Sequence, residues 1–319
     1  MKHFVASALV AMGLVASPAL AQNEIAVTHY GALTYGLPIA VAYHGGYFAE
    51  EGVELDAVLS ARGGGDAVRT ALATSMPWGE AGLPAVIAAR NSGLDLVITN
   101  IAVADVGDAM WVTAKGSGIA SVKDLDGKTV SYTNPKSGSQ MNLTTVLERE
   151  GLTDSVETVA SGGMREGLTL VGQGEVAAAP IVEPMATLMS DRFDVVFRVS
   201  DYFEPGAQIV GFTTREFAEA NGDTITGLIK ARARAVQLMA EDPAKAAEIA
   251  SAAYERVPPP VLEAIIERLS SEGFWSEGAL DLAAFTAMEE TLMAVEVIDG
   301  PGFDWAATMN DQWVKAAMQ

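Results

Sequence analysis

Short apolar runs alternate with amphipathic stretches along the first third of the chain. Apolar runs bounded by Gly, Asp or Ser predict strands, and apolar positions three and four residues apart predict helices. The predicted strands are residues 25–30, 53–60, 78–81 and 94–102. The predicted helices are residues 37–51, interrupted near Gly45 and Gly46, then 66–73, capped by Asp66, and 83–92. This alternation predicts a mostly parallel sheet with helices on both faces.

The same alternation restarts near residue 110 and continues for about 90 residues. Predicted strands are residues 110–114, 128–132, 156–160, 176–181 and 193–199. Predicted helices are residues 121–125, 139–150, 164–172 and 184–190. A second α/β series is therefore nested inside the chain.

The last third of the chain follows one more predicted strand, residues 208–213, with an almost purely helical pattern. Its predicted helices are residues 223–241, 243–254, 260–271, 280–298 and 305–318. The nested series predicts two lobes built from a discontinuous chain. Residues 22–108 and 204–319 would form lobe 1, and residues 109–203 would form lobe 2.

The first 21 residues have the three parts of a secretory signal peptide. Lys2 and His3 are basic, residues 4–15 are apolar and uncharged, and Ala19-Leu20-Ala21 has the small residues of a cleavage site. The apolar run is too short for a spanning helix. We therefore expect a periplasmic protein, cleaved after Ala21 and not inserted in the membrane. The alternative is an uncleaved N-terminal helix.

Charge and cysteine usage narrow the possible partners. The 319 residues include 41 acidic and 20 basic side chains, a net charge of −21. Nucleic acid and anionic membranes would repel such a chain, so neither is an expected partner. The chain contains no cysteine, which excludes disulfides, thiolate metal sites and cysteine nucleophiles. It also excludes a lipid-modified cysteine after the signal.

The familiar nucleotide and hydrolase motifs are incomplete. Gly127-Lys128-Thr129 resembles the end of a phosphate loop, but residue 122 is Val where the motif needs Gly. The glycines at 63–65 do not continue as a dinucleotide fingerprint, because residue 68 is Val. No HExxH or G-x-S-x-G sequence occurs. Acidic pairs such as Glu289-Glu290 are predicted on solvated helix faces. We therefore expect no catalytic residue, metal or cofactor.

Polar and aromatic side chains follow several predicted strands, where α/β proteins bind ligands. Glycine-rich turns and serine caps at helix starts also present free amides to anions or polar groups. Each aromatic could instead be core, the glycine turn could be a plain flexible turn, and Lys136 could be simply exposed. The candidate ligand-binding residues are Tyr30, Tyr35, Gly64, Gly65, Trp78, Glu80, Ser137, Gly138, Ser139 and Glu183.

Four segments, in order along the chain, resemble one family. They are GYFAEEGV at 46–53, GDAVRTAL at 65–72, IASVKDLDGKTV at 119–130, and GEVAAA at 174–179 with Glu183-Pro184. The chain is similar to the substrate-binding components of ABC importers of the nitrate, sulfonate and taurine group, which includes binders of the thiamine pyrimidine precursor. Two departures are Met76-Pro77-Trp78, in place of an acidic-aromatic pair, and Ala177, where the family often has Asp.

The resemblance implies a type II periplasmic binding protein fold, with two doubly wound α/β lobes joined by two crossovers. The ligand would lie between the lobes and be delivered to a membrane permease with its ATPase. Lys136, the serines and the helix-start amides favour a sulfonate or carboxylate. Trp78, Tyr35, Glu80 and Glu183 favour a heteroaromatic, pyrimidine-type amine, which is the alternative. The expected ligand is the anion, because helix-start amides bind anions readily, whereas the acids could be ordinary surface charge.

Two further alternatives concern function. A pyrimidine-forming enzyme would resemble the fungal relatives, but these carry a cysteine-rich motif that this chain lacks. A sensory ligand-binding module is the other alternative, which sequence cannot separate from a transport receptor.

Overall fold

The computed structural model describes residues 23–135 and 137–319. The predicted signal peptide, residues 1–21, and Lys136 lie outside these residues. The described strands are β1 (Glu24–Thr28), β2 (Ala57–Ala61), β3 (Trp78–Gly82), β4 (Leu96–Val103), β5 (Ala109–Ala114), β6 (Thr129–Tyr132), β7 (Glu157–Ala160), β8 (Ala179–Val182), β9 (Phe193–Arg198) and β10 (Ile209–Thr214).

The described α-helices begin with a group that alternates with these strands: α1 (Leu37–His44), α2 (Tyr47–Glu50), α3 (Gly64–Ala71), α4 (Leu83–Asn91), α5 (Gly138–Glu150), α6 (Met164–Gln173) and α7 (Met185–Leu188). The second group follows β10: α8 (Arg215–Ala220), α9 (Gly222–Glu241), α10 (Pro243–Ala250), α11 (Pro259–Ser271), α12 (Leu282–Thr286), α13 (Glu289–Ala294) and α14 (Gln312–Ala317). Short 3-10 turns lie at Tyr30–Ala32, Val122–Leu125 and Val199–Asp201.

The first sheet has five strands in the order β2-β1-β3-β10-β4. β1 is parallel to β2 and β3, whereas β10 runs antiparallel to β3 and β4. Every residue of β4 is buried, because helices cover both faces of the sheet. One apolar cluster joins the sheet to α1 and α9, and a second joins it to α3 and α4.

The second sheet is built from the nested part of the chain. β5 pairs antiparallel with β8 and β9, and β6 pairs in parallel with β7. A bridge between Val130 and Ala178 places β6 beside the start of β8. The resulting strand order is β7-β6-β8-β5-β9, with apolar clusters on its two faces.

Two connections cross between the sheets. Residues 104–108 lead from β4 to β5, and residues 199–208 lead from β9 back to β10. The lobe boundaries that the sequence suggests, at 108/109 and 203/204, stay predictions. Within the described residues, no helix is long and apolar enough to cross a bilayer.

The C-terminal part departs from the predicted pattern. The predicted helix at residues 280–298 is two short helices, α12 and α13. Glu289 begins α13 and is buried, so its predicted place on a solvated face is wrong. Its carboxylate accepts hydrogen bonds from the amides of Gly302 and Phe303 and from the Trp305 indole. These bonds hold the following loop and lower the pKa of Glu289.

The predicted terminal helix at residues 305–318 is helical only in α14. Its first part is held by β4 instead. The amide of Ile98 donates to the carbonyl of Thr308, and the amide of Asn310 donates to the carbonyl of Ile98. This pairing with a sheet strand replaces the helical hydrogen bonds that the amphipathic pattern predicts.

A buried ion pair ties the centre of the first sheet to α9. Glu80 and Arg232 have side-chain exposures of 0% and 1%, and Arg232 Nε lies 2.5 Å from Glu80 Oε1. The guanidinium also donates to the carbonyls of Ser276 and Ala102, each at 2.6 Å. The arginine therefore links β3, β4 and the segment before α12 to one helix.

Glycine at position 211 makes room for this polar cluster. On the sheet, Gly211 of β10 lies between Glu80 of β3 and Asn100 of β4. A Cβ atom at this position would overlap the Asn100 carboxamide. A larger residue would therefore push a buried amide out of place.

We expect Arg232→Met to lower the free energy of unfolding by about 3–5 kcal/mol, because it leaves the Glu80 carboxylate buried without its counter-charge. Urea denaturation measures the loss. The matched control is Arg69→Met, which breaks the exposed pair with Asp66 and should cost much less, because an exposed ion pair contributes little to stability. Equal losses in the two variants would contradict this role for Arg232.

Candidate functional site

The carboxyl end of β2 leads directly into the start of α3. Gly63, before the helix, has no side chain to cap it, so the first amides of α3 have no side-chain acceptor. Asp66 lies in the first turn and is not the N-cap that the sequence suggests. Its carboxylate accepts from the Arg62 amide, and this bond does most to lower the pKa of Asp66.

The starts of α3 and α4 lie side by side. A Cβ atom on Gly64 would lie 2.6 Å from the Ala85 Cβ and 3.4 Å from the Gly82 amide nitrogen. Gly82 precedes α4, and Pro84 occupies its first turn. Only glycine at position 64 allows the two helix starts to approach this closely.

The second sheet contributes a cluster of hydroxyl groups where β6 meets α5. Ser137 caps α5 by accepting from the Gln140 amide. Its Oγ lies 2.9 Å from Ser139 Oγ and 3.2 Å from Thr133 Oγ1. Ser139 Oγ lies 2.8 Å from Thr133 Oγ1 and accepts from the Thr133 amide. Three hydroxyl groups thus surround the helix start.

The start of α6 repeats the turn at α3. Gly163 precedes α6 with φ 171° and ψ 169°, close to the 175° and 171° of Gly63 before α3. Both turns follow the carboxyl end of a parallel strand. The two lobes therefore present similar helix starts at corresponding sheet edges.

One cavity of about 810 Å³ brings residues of both lobes together. Pro84 of α4 and the start of α5 line it, with α13 on a third side. Its lining residues are Pro84, Ser137, Gly138, Gln140, Met141, Thr144, Thr145, Thr291, Ala294, Val295 and Glu296. Helix starts carry positive potential and free amides, so this cavity can hold an anionic or polar group at its α5 end.

A smaller cavity of about 320 Å³ also contacts both lobes. It lies between Pro184, at the start of α7, and the loop that follows β1. The hydroxyl of Tyr254 donates to the Tyr30 carbonyl at 2.9 Å and holds this loop. Burial raises the pKa of Tyr30 to about 12.

Trp78 and Glu80 are core residues, which corrects their predicted place on the ligand wall. Both have 0% exposure, because β3 is an inner strand covered on both faces. The Trp78 indole donates to Thr99, and Glu80 pairs with Arg232. In this arrangement neither side chain can reach a ligand between the lobes.

Tyr35 and Glu183 lie near the connection between the lobes. Tyr35 stacks on Phe274, with ring centroids 6.2 Å apart. Glu183 is 3% exposed and accepts from the amide and hydroxyl of Thr187. Its charge is paired with Arg268 Nη2 at 2.8 Å. Glu183 is therefore an interlobe contact in this structure, and not a free acid in the cleft.

The start of α3 packs against α4, and α4 shares a cavity with the start of α5. The other predicted site residues, Trp78, Glu80, Tyr35 and Glu183, are not part of this group. Sequence reasoning did not select Thr133 or Pro84 for the site. Thr133 follows a predicted strand and Pro84 opens a predicted helix, so the rule that ligands bind at strand ends and helix starts could have found both. Within the described ranges, no group of three or more His, Asp or Glu residues is placed to hold a metal ion.

Comparisons with known proteins agree with this architecture. The sequence model of the family described as "NMT1/THI5 like" matches residues 34–246. None of the curated proteins matches the chain by sequence.

Several solved structures share the fold. The periplasmic aliphatic sulphonate binding protein SsuA from Escherichia coli has a TM-score of 0.66 at 18% identity, covering 93% of this chain and 98% of that one. The alkanesulfonate-binding protein SsuA from Xanthomonas axonopodis pv. citri, bound to MOPS, has a TM-score of 0.63 at 15% identity, covering 91% and 98%. A mutant of DszB in complex with biphenyl-2-sulfinic acid has a TM-score of 0.63 at 11% identity, covering 93% of this chain and 99% of that one. These likenesses and the strand orders confirm the predicted type II periplasmic binding protein fold.

Gly64→Ala and Gly65→Ala test the close approach of the helix starts. Gly64→Ala should lower the free energy of unfolding by about 1–3 kcal/mol, because its Cβ meets Ala85. Gly65→Ala should be neutral or stabilising by up to about 1 kcal/mol, since the nearest atom to its Cβ is Arg69 Nη1 at 3.8 Å. Chemical denaturation of both variants measures the difference. If Gly64→Ala is as stable as Gly65→Ala, the packing argument is wrong.

Proposed function

The chain belongs to the NMT1/THI5-like family, and on this premise we propose that it is the periplasmic solute-binding receptor of an ABC importer. It would hold a small organic anion between its two lobes and present it to a permease with its ATPase. The observation that carries the proposal is the 810 Å³ cavity. It is lined by the start of α4 from one lobe and by the start of α5 from the other.

A ligand that touches both lobes can favour the closed arrangement. It stabilises that arrangement only by the difference between its affinities for the open and closed states. Groups on Pro84, Ser137 and Gly138 border one space, although they belong to different lobes. A solute in this space would therefore be sensitive to the relative position of the lobes.

The local groups favour an anionic head group such as a sulfonate or carboxylate. The start of α5 offers amides, and the Ser137 hydroxyl borders the cavity, with the Thr133 and Ser139 hydroxyls hydrogen-bonded to it. The net charge of −21 opposes long-range attraction of anions, so short-range hydrogen bonds must supply the affinity. Both SsuA proteins are named for sulfonates, which supports the same class.

The cavity volume favours a ligand with an organic body. A volume of 810 Å³ lies in the upper part of the range for small-molecule pockets, about 300–1,000 Å³. An inorganic oxyanion would leave most of that space unfilled. Met141, Ala294 and Val295 offer apolar surface on which a carbon chain or ring could pack.

The heteroaromatic alternative loses part of its basis. Trp78 and Glu80 lie in the core, so Tyr35 and Glu183 are what remains in its favour. Enzyme function is also less supported than binding. The solved SsuA relatives are binding proteins, and the absence of cysteine from the chain excludes cysteine-based catalysis. We therefore propose a non-catalytic role.

A thermal-shift screen tests the ligand class. The probes are butanesulfonate, benzenesulfonate, butanoate, benzoate, nitrate and 4-aminopyrimidine. We expect an organic sulfonate or carboxylate to stabilise the protein, by about 2.7 kcal/mol at 100 times its dissociation constant. Nitrate should have little effect, because it cannot fill the cavity. Stabilisation by aminopyrimidine alone would overturn the anion assignment.

Two cap variants locate the site. Ser137→Ala and Thr214→Ala each remove a helix N-cap, and each should cost about 0.5–2 kcal/mol of stability. Only Ser137→Ala should also weaken binding of the stabilising probe, by up to about tenfold, since its hydroxyl borders the cavity. Calorimetric titration of both variants provides the readout. Equal affinities would place the ligand elsewhere.

A further inference from the structure

Asp108 is a buried carboxyl group in one of the two connections between the lobes. It ends the segment 104–108 and is 8% exposed. Its Oδ2 accepts from the Thr34 hydroxyl at 3.2 Å, and its carbonyl accepts from the Glu183 amide at 3.2 Å. Thr34 belongs to the first lobe and Glu183 to the second. Asp108 is thus enclosed by residues of both lobes.

Few cations balance the acids around this connection. Arg268 donates to the Gly107 carbonyl at 3.1 Å and pairs with both Glu183 and Glu272, at 2.8 and 2.7 Å. Arg198 lies 4.0 Å from Glu272. Both arginines are thus engaged with glutamates, whereas the Asp108 carboxyl group accepts its hydrogen bond from a neutral hydroxyl.

The elements packed around Asp108 contribute a defined set of charged and titratable groups. The loop before α1 contributes Tyr35, and the His29 ring lies 6.2 Å from the Tyr35 ring. The end of β8 contributes Glu183, and α11 contributes Arg268 and Glu272. The end of β9 and the second connection contribute Arg198 and Asp201, and the first connection contributes Asp105.

The electrostatics of this set disfavour the ionised form of Asp108. Burial raises the pKa of Asp108 to about 7, against the opposing hydrogen bonds from the Thr34 hydroxyl and from the Asp108 backbone amide. The charge of Glu183 adds to the rise, and that of Arg268 opposes it. The Asp108 charge in turn is the main cause of the raised pKa of Tyr35. Burial also raises the pKa of Asp105.

We propose that Asp108 couples one proton to the arrangement of the two lobes. In the packed arrangement, the one described here, residues of both lobes enclose Asp108 and it holds the proton. In a hydrated arrangement, water reaches the connection and Asp108 releases the proton. The carboxyl group is protonated while Thr34, Glu183 and Arg268 enclose it. When the lobes turn and water reaches the connection, the carboxylate gains hydration and the proton leaves. The meaning of this device for solute capture rests on the function proposed above.

The direction of the pH dependence follows from the difference between the pKa values of Asp108 in the two arrangements. The packed state keeps the proton up to pH about 7, whereas a hydrated aspartate loses it near pH 4. Between these values opening releases a proton, so rising pH favours opening by up to tenfold per pH unit. Above the upper value both states are ionised and the dependence ends. The packed arrangement is thus favoured by acid.

Two measurements on the solute-free protein test the proposal. Carbon-13 NMR of aspartate-labelled protein should show one carboxyl resonance with a midpoint near pH 7, absent from Asp108→Asn. Hydrogen exchange should show protection factors in residues 104–108 that fall by up to tenfold per pH unit from pH 5 to 7. In Asp108→Asn they should not change with pH.

Asp105→Asn is the matched control, because it removes a neighbouring acid of the same connection and should keep both signals. Thr34→Val gives a second test if Asp108→Asn folds poorly. It removes the hydrogen bond to the charged form, so the midpoint should rise. The proposal is overturned if no aspartate titrates above pH 6, or if the wild type and Asp108→Asn share one pH dependence. Neither measurement needs a solute, so failure of the ligand screen would not affect it.

Discussion

Helices cover both faces of the inner strands, and this constraint decides where ligand chemistry can occur. A strand such as β4, buried along its whole length, has no face left for solvent. The accessible polar groups are then those at the strand ends, where the chain turns into a helix and the first amides lack intrahelical partners. The cavity at Pro84 and Ser137, the turns at Gly63 and Gly163, and the hydroxyl cluster at Thr133 all follow from this geometry.

The two buried acidic side chains, Glu80 and Asp108, differ in their partners and in their position relative to the lobes. These differences decide whether the acid stabilises the fold or can exchange a proton. Glu80 lies inside one lobe, where Arg232 compensates its charge with a contact that no lobe movement disturbs. Asp108 lies between the lobes and has a neutral donor, Thr34. A group of the first kind holds the fold together. A group of the second kind can exchange a proton with the solvent whenever its surroundings open.

Much of the fold could be predicted from the sequence, because the alternation of apolar runs and amphipathic stretches reflects local burial. The site was predicted less well, for a physical reason. A carboxylate or indole in an apolar strand has the same local pattern whether it faces a ligand or a partner far along the chain. Glu80 meets Arg232, 152 residues later, and Trp78 meets Thr99. The serines at 137 and 139 depend on local geometry, a helix start after a strand. Ser137 lines the interlobe cavity and Ser139 is hydrogen-bonded to it, while a ligand-binding role for either stays a prediction.

The position of β10 in the first sheet has a consequence for the order of assembly. β10 lies between β3 and β4, although the whole nested series separates it from them in the chain. Until the chain has been made as far as residue 214, the end of β10, β3 and β4 have no hydrogen-bonded neighbour in common. The first sheet is then two separate pieces. The second sheet uses only residues between Ala109 and Arg198. A chain that emerges N-terminus first can therefore complete the second sheet before β10 joins the two pieces of the first sheet.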